Sequence, residues 1–192
     1  VVVALRAAGA VIVGKANLAE LAGAMVRTPG FSAVGGQTGN PYGSSFSPGG
    51  SSSGSAVSVA AGFAIASVGT ETSGSLIVPA AFNGLVGMKP SRGVVDTRGV
   101  IPLVRHQDSP GPIGRSVADV AALLGAMSGA PLDVELSEGA LAGVRVGVLA
   151  TDIRGQRTPV EDTSDNGGML VRIDAALRAA GALPVDAVIV SA

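Results

Sequence analysis

Apolar residues in this chain fall in short runs that glycine interrupts. Val1-Val-Val-Ala-Leu-Arg-Ala-Ala-Gly9 reads as the end of a helix stopped by a glycine cap. Ala10-Val-Ile-Val13 then reads as a buried strand. The heptapeptide Ala-Leu-Arg-Ala-Ala-Gly-Ala at 4–10 recurs at 176–182, again ahead of an apolar strand, 185–190. That is one helix–glycine–strand unit used twice, and two copies do not make a repeat protein. Between them the pattern predicts helices at 17–25, 55–66, 116–128 and 168–180, and short strands at 66–70, 84–88 and 144–149. Ser116 is placed to cap the 116–128 helix, with Asp119 in the capping-box position. Residues 28–54 are rich in Gly, Ser and Pro and read as loop, as does the polar stretch 151–167. Helices alternating with strands make the class α/β.

Charge placement sharpens this picture. From Thr28 to Met88 the only acid or base is Glu71, so the stretch is expected to be largely buried or membrane-embedded. The membrane reading fails on pattern. The most apolar run, 56–68, is shorter than the roughly 20 residues of a span and is interrupted by Ser58, Gly62 and Ser67. A signal peptide is not expected, because there is no basic region ahead of a compact apolar stretch. Residues 1–115 carry eight basic and four acidic groups, whereas 116–192 carry five and ten, so the last part is the expected solvent-facing layer.

Composition adds further limits. Glycine supplies 29 of 192 residues, about twice the usual share of roughly 7%. A mean hydropathy of +0.50 is too apolar for a disordered chain. A net charge of −1 argues against nucleic acid or an anionic membrane as a partner. The absence of cysteine excludes a disulfide scaffold and a thiolate metal site, and fits a reducing, cytoplasmic setting. The carboxylates near Glu161, Asp162 and Asp165 have no His or Cys nearby and read as a solvated face, so neither a metal nor another cofactor is expected.

Two Gly/Ser clusters are the candidates for chemistry: Ser47-Pro-Gly-Gly-Ser51-Ser-Ser-Gly-Ser55 leading into a helix, and Gly69-Thr-Glu-Thr-Ser-Gly-Ser75-Leu-Ile-Val-Pro79. Glycine-rich turns let backbone N–H groups approach a ligand. A phosphate cradle would end in Gly-Lys-Ser/Thr, and there is no lysine there; the G-x-G-x-x-G fingerprint is also missing. A flexible linker is the bland alternative, and the apolar, uncharged flanks count against it. A serine hydroxyl needs a neighbour to take its proton. His106 is the sole histidine and sits in Arg105-His-Gln-Asp108, where it could pair with Asp108; a surface position is the better reading. A desolvated lysine is the more plausible base.

In order along the chain stand Gly14-Lys-Ala-Asn17-Leu with Glu20, Gly36-Gln-Thr-Gly-Asn-Pro41-Tyr, Pro48-Gly-Gly-Ser-Ser-Ser-Gly-Ser55-Ala, Thr70-Glu-Thr-Ser-Gly-Ser75, Gly84-Leu-Val-Gly-Met-Lys-Pro90 and Asp108-Ser-Pro-Gly-Pro112. This series resembles the amidase signature family, continuously over 1–130 and more weakly to the end. Ser-Leu-Ile-Val-Pro-Ala-Ala at 75–81 looks closest to its peptide amidases.

The resemblance implies an α/β fold with a mixed β-sheet core flanked by helices on both faces, here incomplete. Residues 1–192 would form part of a single domain, with core motifs in 1–130 and a peripheral helix–strand segment in 131–192, cut at both ends. It implies hydrolysis of a linear carboxamide, including a peptide C-terminal amide, by a Ser–Ser–Lys triad. Ser75 matches the nucleophile. Ser51 matches the bridging serine, which the family holds next to a cis peptide bond. The backbone N–H groups of Thr72, Ser73, Gly74 and Ser75 would form the oxyanion hole. The family's catalytic lysine lies upstream of the G-K-x-N motif, in a segment with no counterpart here. Lys15 and Lys89, the only lysines, match scaffold positions, so this chain is expected to be inactive. The implied partner is a small-molecule or peptide amide, with no nucleic acid and no membrane, and a homo-oligomer stays open. Ile77 stands near where relatives that accept anionic substrates often carry Arg, which argues for a neutral or apolar acyl portion. Glu71 reads as structural in preference to substrate-binding. Two rivals remain: the amidase component of a tRNA-dependent amidotransferase, and a non-catalytic scaffold that keeps the Gly/Ser pocket. A nucleotide-binding module is a distant further reading.

Overall fold

The computed structural model describes residues 1–23, 28–130, 137–149 and 165–187. The chain divides into two compact units, Val1–Val134 and Glu135–Ala192. The class is α/β, with both antiparallel and parallel strand pairs.

In the first unit, helix α1 (Val2–Ala7) is followed by a 3-10 turn (Glu20–Gly23), a two-residue hairpin of β1 (Phe31–Ser32) and β2 (Gly36–Gln37), helix α2 (Ser53–Ala60), strand β3 (Ala66–Glu71) and helix α3 (Ile77–Phe82). Strand β4 (Val86–Gly87), strand β5 (Ser109–Gly114) and helix α4 (Val117–Ser128) complete it. The three-stranded antiparallel sheet has the order β3-β5-β4, with Ala66 opposite Gly114 and Glu71 opposite Ser109. Two apolar clusters hold the unit together. Leu5, Val95, Leu124 and Met127 join α1 to α4, while Ala56, Leu76, Ala80 and Ile113 join α2, α3 and β5.

The central strand β5 is absent from the expected elements, because Ser109-Pro-Gly-Pro-Ile-Gly114 carries two prolines that cannot donate to a ladder. The register explains how it survives. Met88 N–H donates to the Pro112 carbonyl at 3.1 Å, so the backbone polar groups of Pro110 and Pro112 face the β4 side. β4 spans only two residues and asks little of them. The donors of residues 109, 111 and 113 are then the ones that face β3. A side chain at Gly111 would land on the Met88 carbonyl oxygen and the Leu76 methyl, so the tight approach of β4 to β5 requires glycine there.

The other edge of β3 has no neighbouring strand among the described residues; serines of the α2 segment take that place. Ser52 Oγ donates to the Thr70 carbonyl and accepts from the Thr70 amide, both at 3.0 Å, and Ser55 Oγ donates to the Val68 carbonyl at 2.9 Å. A helix thus satisfies alternate backbone groups of a strand through hydroxyls.

Helix α4 matches the pattern closely. Ser116 accepts from the Asp119 amide at 3.1 Å, Asp119 accepts from the Ser116 amide at 3.0 Å, and Gly129 closes the helix at φ 73°. Helix α2 is shorter than the expected 55–66, running 53–60 before a turn through Gly62, since residue 66 already belongs to β3.

Three expectations are corrected. The buried strand at 10–13 is absent: these residues lie outside any strand, with Val11 85% and Val13 74% exposed. The helix at 17–25 is replaced by the 3-10 turn, in which Leu21 and Ala22 take left-handed φ angles of 49° and 56° that cannot propagate an α-helix; residues 24–27 lie outside the described set. The charge-poor stretch 28–88 is also not largely buried. Val34, Tyr42, Phe46, Phe63, Ile65 and Phe82 are exposed, because serine, threonine, asparagine and backbone groups solvate loops without any charge.

In the second unit, β6 (Arg145–Leu149) pairs in parallel with β7 (Leu183–Ala187), and α5 (Asp165–Ala179) precedes β7 through Gly181 at φ 78°. The expected helix and strands at 168–180, 144–149 and 185–190 are these elements, shifted by a few residues; residues 188–192 and 151–164 lie outside the described set. The repeated heptapeptide therefore has two fates. Gly9 and Gly181 both turn the chain at positive φ, yet only the second copy leads into a strand, because β6 is there to pair with it.

Candidate active site

The two Gly/Ser clusters meet through their backbones. The Ser52 amide donates to the Ser75 carbonyl at 3.1 Å, which sets the serine run beside the end of the second cluster. The peptide bond between Gly50 and Ser51 is cis. On its other side the Ser51 carbonyl accepts from the Ala19 amide at 2.9 Å, and Gly54 donates to the Asn17 carbonyl at 3.0 Å. A Cβ at Gly54 would collide with the Asn17 backbone, and one at Gly49 with Pro79, so both glycines permit the loop to lie flat against its supports.

Asn17, from the Gly-Lys-Ala-Asn segment, anchors the preceding loop. Its amide donates to the Gly36 carbonyl and Thr38 Oγ1, both at 3.0 Å, and more weakly to the Gly30 carbonyl at 3.3 Å, while its Oδ1 accepts from Ser32 Oγ at 2.6 Å. Two further asparagines clamp the Gly/Ser loop to α3. Asn40 Nδ2 donates to the carbonyls of Ser47 (2.9 Å) and Phe82 (3.0 Å). Asn83, fully buried, donates to those of Pro48 (2.9 Å) and Pro79 (2.8 Å). Asn40 lies within the motif Gly36-Gln-Thr-Gly-Asn-Pro41-Tyr and Asn83 in none, and the sequence signals for neither what it bridges.

The serines divide by occupation. Ser52 and Ser55 are bound to β3, and Ser53 Oγ faces Thr38 Oγ1 at 3.4 Å. The hydroxyls of Ser51 and Ser75, both in buried residues, bond to none of the described residues. The amides of Thr72, Ser73, Gly74 and Ser75 likewise donate to no described protein acceptor. Glu71, buried at 7% exposure, accepts the next two amides, Leu76 at 2.8 Å and Ile77 at 3.1 Å, through one oxygen. That geometry supports its structural reading, since Glu71 caps the start of α3 and leaves four amides ahead of it unclaimed.

Asp108 closes the other end of this loop. Its Oδ1 accepts from Thr72 Oγ1 at 2.5 Å, and its Oδ2 accepts the amides of Leu103 (2.8 Å) and Val104 (2.9 Å). Burial pushes the Asp108 carboxyl up, but the hydrogen bonds from Thr72, Val104 and Leu103, with the nearby His106, outweigh it and hold it below the ordinary value. Both carboxylate oxygens are thus engaged elsewhere, and His106 is exposed, so the His106–Asp108 pairing is not formed. Lys15 is exposed and Lys89 partly buried.

No metal-binding cluster of His, Cys, Asp or Glu occurs among the described residues, and no described helix is long and apolar enough to cross a membrane. The carboxylates near Glu161 and Asp162 lie outside the described set.

An α/β chain in which two glycine–serine loops are locked together by their backbones defines the class. The chain belongs to the amidase family, whose description "Amidase" matches residues 1–166. Among curated relatives, it is 45% identical over 160 residues to a glutamyl-tRNA(Gln) amidotransferase subunit of Symbiobacterium thermophilum, covering 77% of this chain and 32% of that protein. It is 51% identical over 136 residues to a probable amidase of Arabidopsis thaliana, covering 69% and 27%. Among solved structures, the native peptide amidase of Stenotrophomonas maltophilia superposes with a TM-score of 0.80 at 42% identity, over 96% of this chain and 41% of that one. A 6-aminohexanoate cyclic dimer hydrolase does so with a TM-score of 0.75 at 30% identity, over 97% and 40%. The chain therefore spans about a third or less of the length of the curated relatives it matches.

Proposed function

We propose that these residues supply the serine half of an amidase active site that hydrolyses a linear carboxamide to a carboxylate and ammonia. Ser75 Oγ attacks the amide carbonyl carbon, and its proton passes through Ser51 to a lysine base. The developing oxyanion is held by the amides of Thr72, Ser73, Gly74 and Ser75. Collapse breaks the C–N bond, and the returned proton leaves with ammonia. Water then cleaves the Ser75 ester by the same route in reverse, releasing the acid. The observation that carries this reading is the division of labour among the serines: Ser52 and Ser55 are committed to β3, while Ser51 and Ser75 are uncommitted and sit on loops joined by the Ser52–Ser75 bond.

Lys15 and Lys89 are scaffold residues in this reading, so residues 1–192 alone give no turnover. Ile77, 45% exposed beside the nucleophile loop, favours a neutral or apolar acyl group. A peptide C-terminal amide fits that preference, and the likeness to a peptide amidase supports it. A second reading, the amidase component of a tRNA-dependent amidotransferase, is supported by the curated relatives that are glutamyl-tRNA(Gln) amidotransferase subunits, and it would bring partner chains; Ile77 counts against it.

The test is active-site labelling of the complete polypeptide that carries these residues with a fluorophosphonate. Wild type is expected to label and Ser75→Ala to lose the label; equal labelling of the two would sink the amidase reading. Ammonia release that needs glutamine and charged tRNA would favour the second reading over the first.

A further inference from the structure

We propose that Asp108 is a positioning residue for the oxyanion loop, acting through the Thr72 hydroxyl; this rests on the amidase reading above. The β3–β5 ladder ends at the pair Glu71–Ser109. The next pair in the same register is Thr72 with Asp108, which like Thr70–Pro110 is a pair that exchanges no backbone bonds, and there a side-chain bond joins the two, Thr72 Oγ1 to Asp108 Oδ1 at 2.5 Å. The Thr72 amide faces away from β5 in this register, so the side-chain bond ties the loop to β5 without using that amide.

What anchors Asp108 makes the restraint directional. Its second oxygen holds the amides of Leu103 and Val104, and its own amide and that of Gln107 both donate to the Val104 carbonyl, at 2.9 and 2.8 Å. The carboxylate is the closing bond of a compact turn, 103–108, that feeds directly into the central strand β5. Glu71 pins the far end of the loop through Leu76 and Ile77. Residues 72–75 are thereby held at both ends by carboxylates, while the four amides between are left for a ligand. A donor loop fixed before the reaction needs no reorganisation as charge develops on the substrate oxygen.

The experiment compares Asp108→Asn, Thr72→Val, the double variant and Thr72→Ser in the complete polypeptide. Thr72→Val keeps the shape of the side chain and removes the hydroxyl; Thr72→Ser restores it. Each of the first two is expected to lower kcat for amide hydrolysis by about 10²-fold, the scale of a small misplacement of catalytic groups, with KM changed far less. The double variant is expected to be no worse than Asp108→Asn alone, because Asp108→Asn loosens the Thr72 contact along with the bonds to the amides of Leu103 and Val104. Thr72→Ser recovers most of the rate lost in Thr72→Val. An unchanged kcat in Thr72→Val, or losses that multiply in the double variant, overturns the proposal. Wild-type hydrolysis that Ser75→Ala abolishes tests the underlying reading separately. Should wild type not hydrolyse amides, the backbone order parameters of residues 73–75 still decide the positioning: they fall in Thr72→Val and Asp108→Asn and return in Thr72→Ser, and equal values across the set refute it.

Discussion

The Ser52 amide donates to the Ser75 carbonyl at 3.1 Å, and this single backbone bond couples the two glycine–serine loops of the site. The Ser52 side chain does a different job, serving both backbone groups of Thr70 on the free edge of β3. Neighbouring serines in one run thus hold unlike duties: Ser52 is bound into the scaffold, and Ser51 is left for the proposed chemistry.

Stability and reactivity should therefore separate between Ser52 and Ser75. Ser52→Ala leaves a donor and an acceptor of Thr70 unpaired, which costs about 1–3 kcal/mol. Ser75→Ala removes no bond to a described residue and is expected to stay within about 0.5 kcal/mol of wild type. Urea unfolding midpoints of the two variants check the contrast; similar losses in both would contradict it.

Gly111→Ala is expected to destabilise the first unit by about 1–3 kcal/mol, because the new methyl has only the Met88 carbonyl, Leu76 and Pro90 to displace. Gly14→Ala is the matched control, with open space around its Cβ and no positive φ. Thermal melts followed by circular dichroism should show a clear drop in Tm for the first and almost none for the second.

Ser116→Ala deletes the capping box of α4 and should cost about 0.5–2 kcal/mol. Ser116→Asp, which keeps an acceptor at the cap, is expected to recover most of that loss in the same denaturant titration.

The linkage at Asp108 has a definite sign. Its folded carboxyl titrates below the ordinary value of 3.8, so the unfolded chain takes up the proton first as pH falls. The stability it contributes is complete above its unfolded pKa and disappears as pH drops through the folded one. The stability gap between wild type and Asp108→Asn should accordingly shrink from about pH 5 downward. A gap that widens on acidification would show that the sign is wrong.

Legibility in the sequence follows the range of the interactions involved. The capping box at Ser116 and Asp119 is local, and its pattern marks the start of α4, as Gly129 marks its end. Ser51 and Ser75 stand out through ordered motifs, and their loops do lie together. Strand β5 is hidden because Pro110 and Pro112 argue against a central strand until one knows that β4 is two residues long. The turn at Leu21 and Ala22 is hidden because an apolar, alanine-rich segment has helical composition whatever its φ. Asp108 is conspicuous in the sequence as a neighbour of His106 and as the first residue of Asp108-Ser-Pro-Gly-Pro112. Its true partners, Thr72 and the amides of Leu103 and Val104, are set by the register of β3 against β5, which no spacing within 105–108 encodes.

Residues 10–13 stand outside any strand with Val11 and Val13 facing solvent. Ala10 is tied to the Leu5 carbonyl at 3.0 Å, but β-branched side chains on residues 11–13, whose backbone groups bond to no described residue, are the template for edge-to-edge addition of a foreign strand. Residues 1–192 kept alone in concentrated solution will accordingly self-associate through this segment. A gatekeeper charge, Val11→Lys, should raise the concentration at which light scattering still reports a monomer.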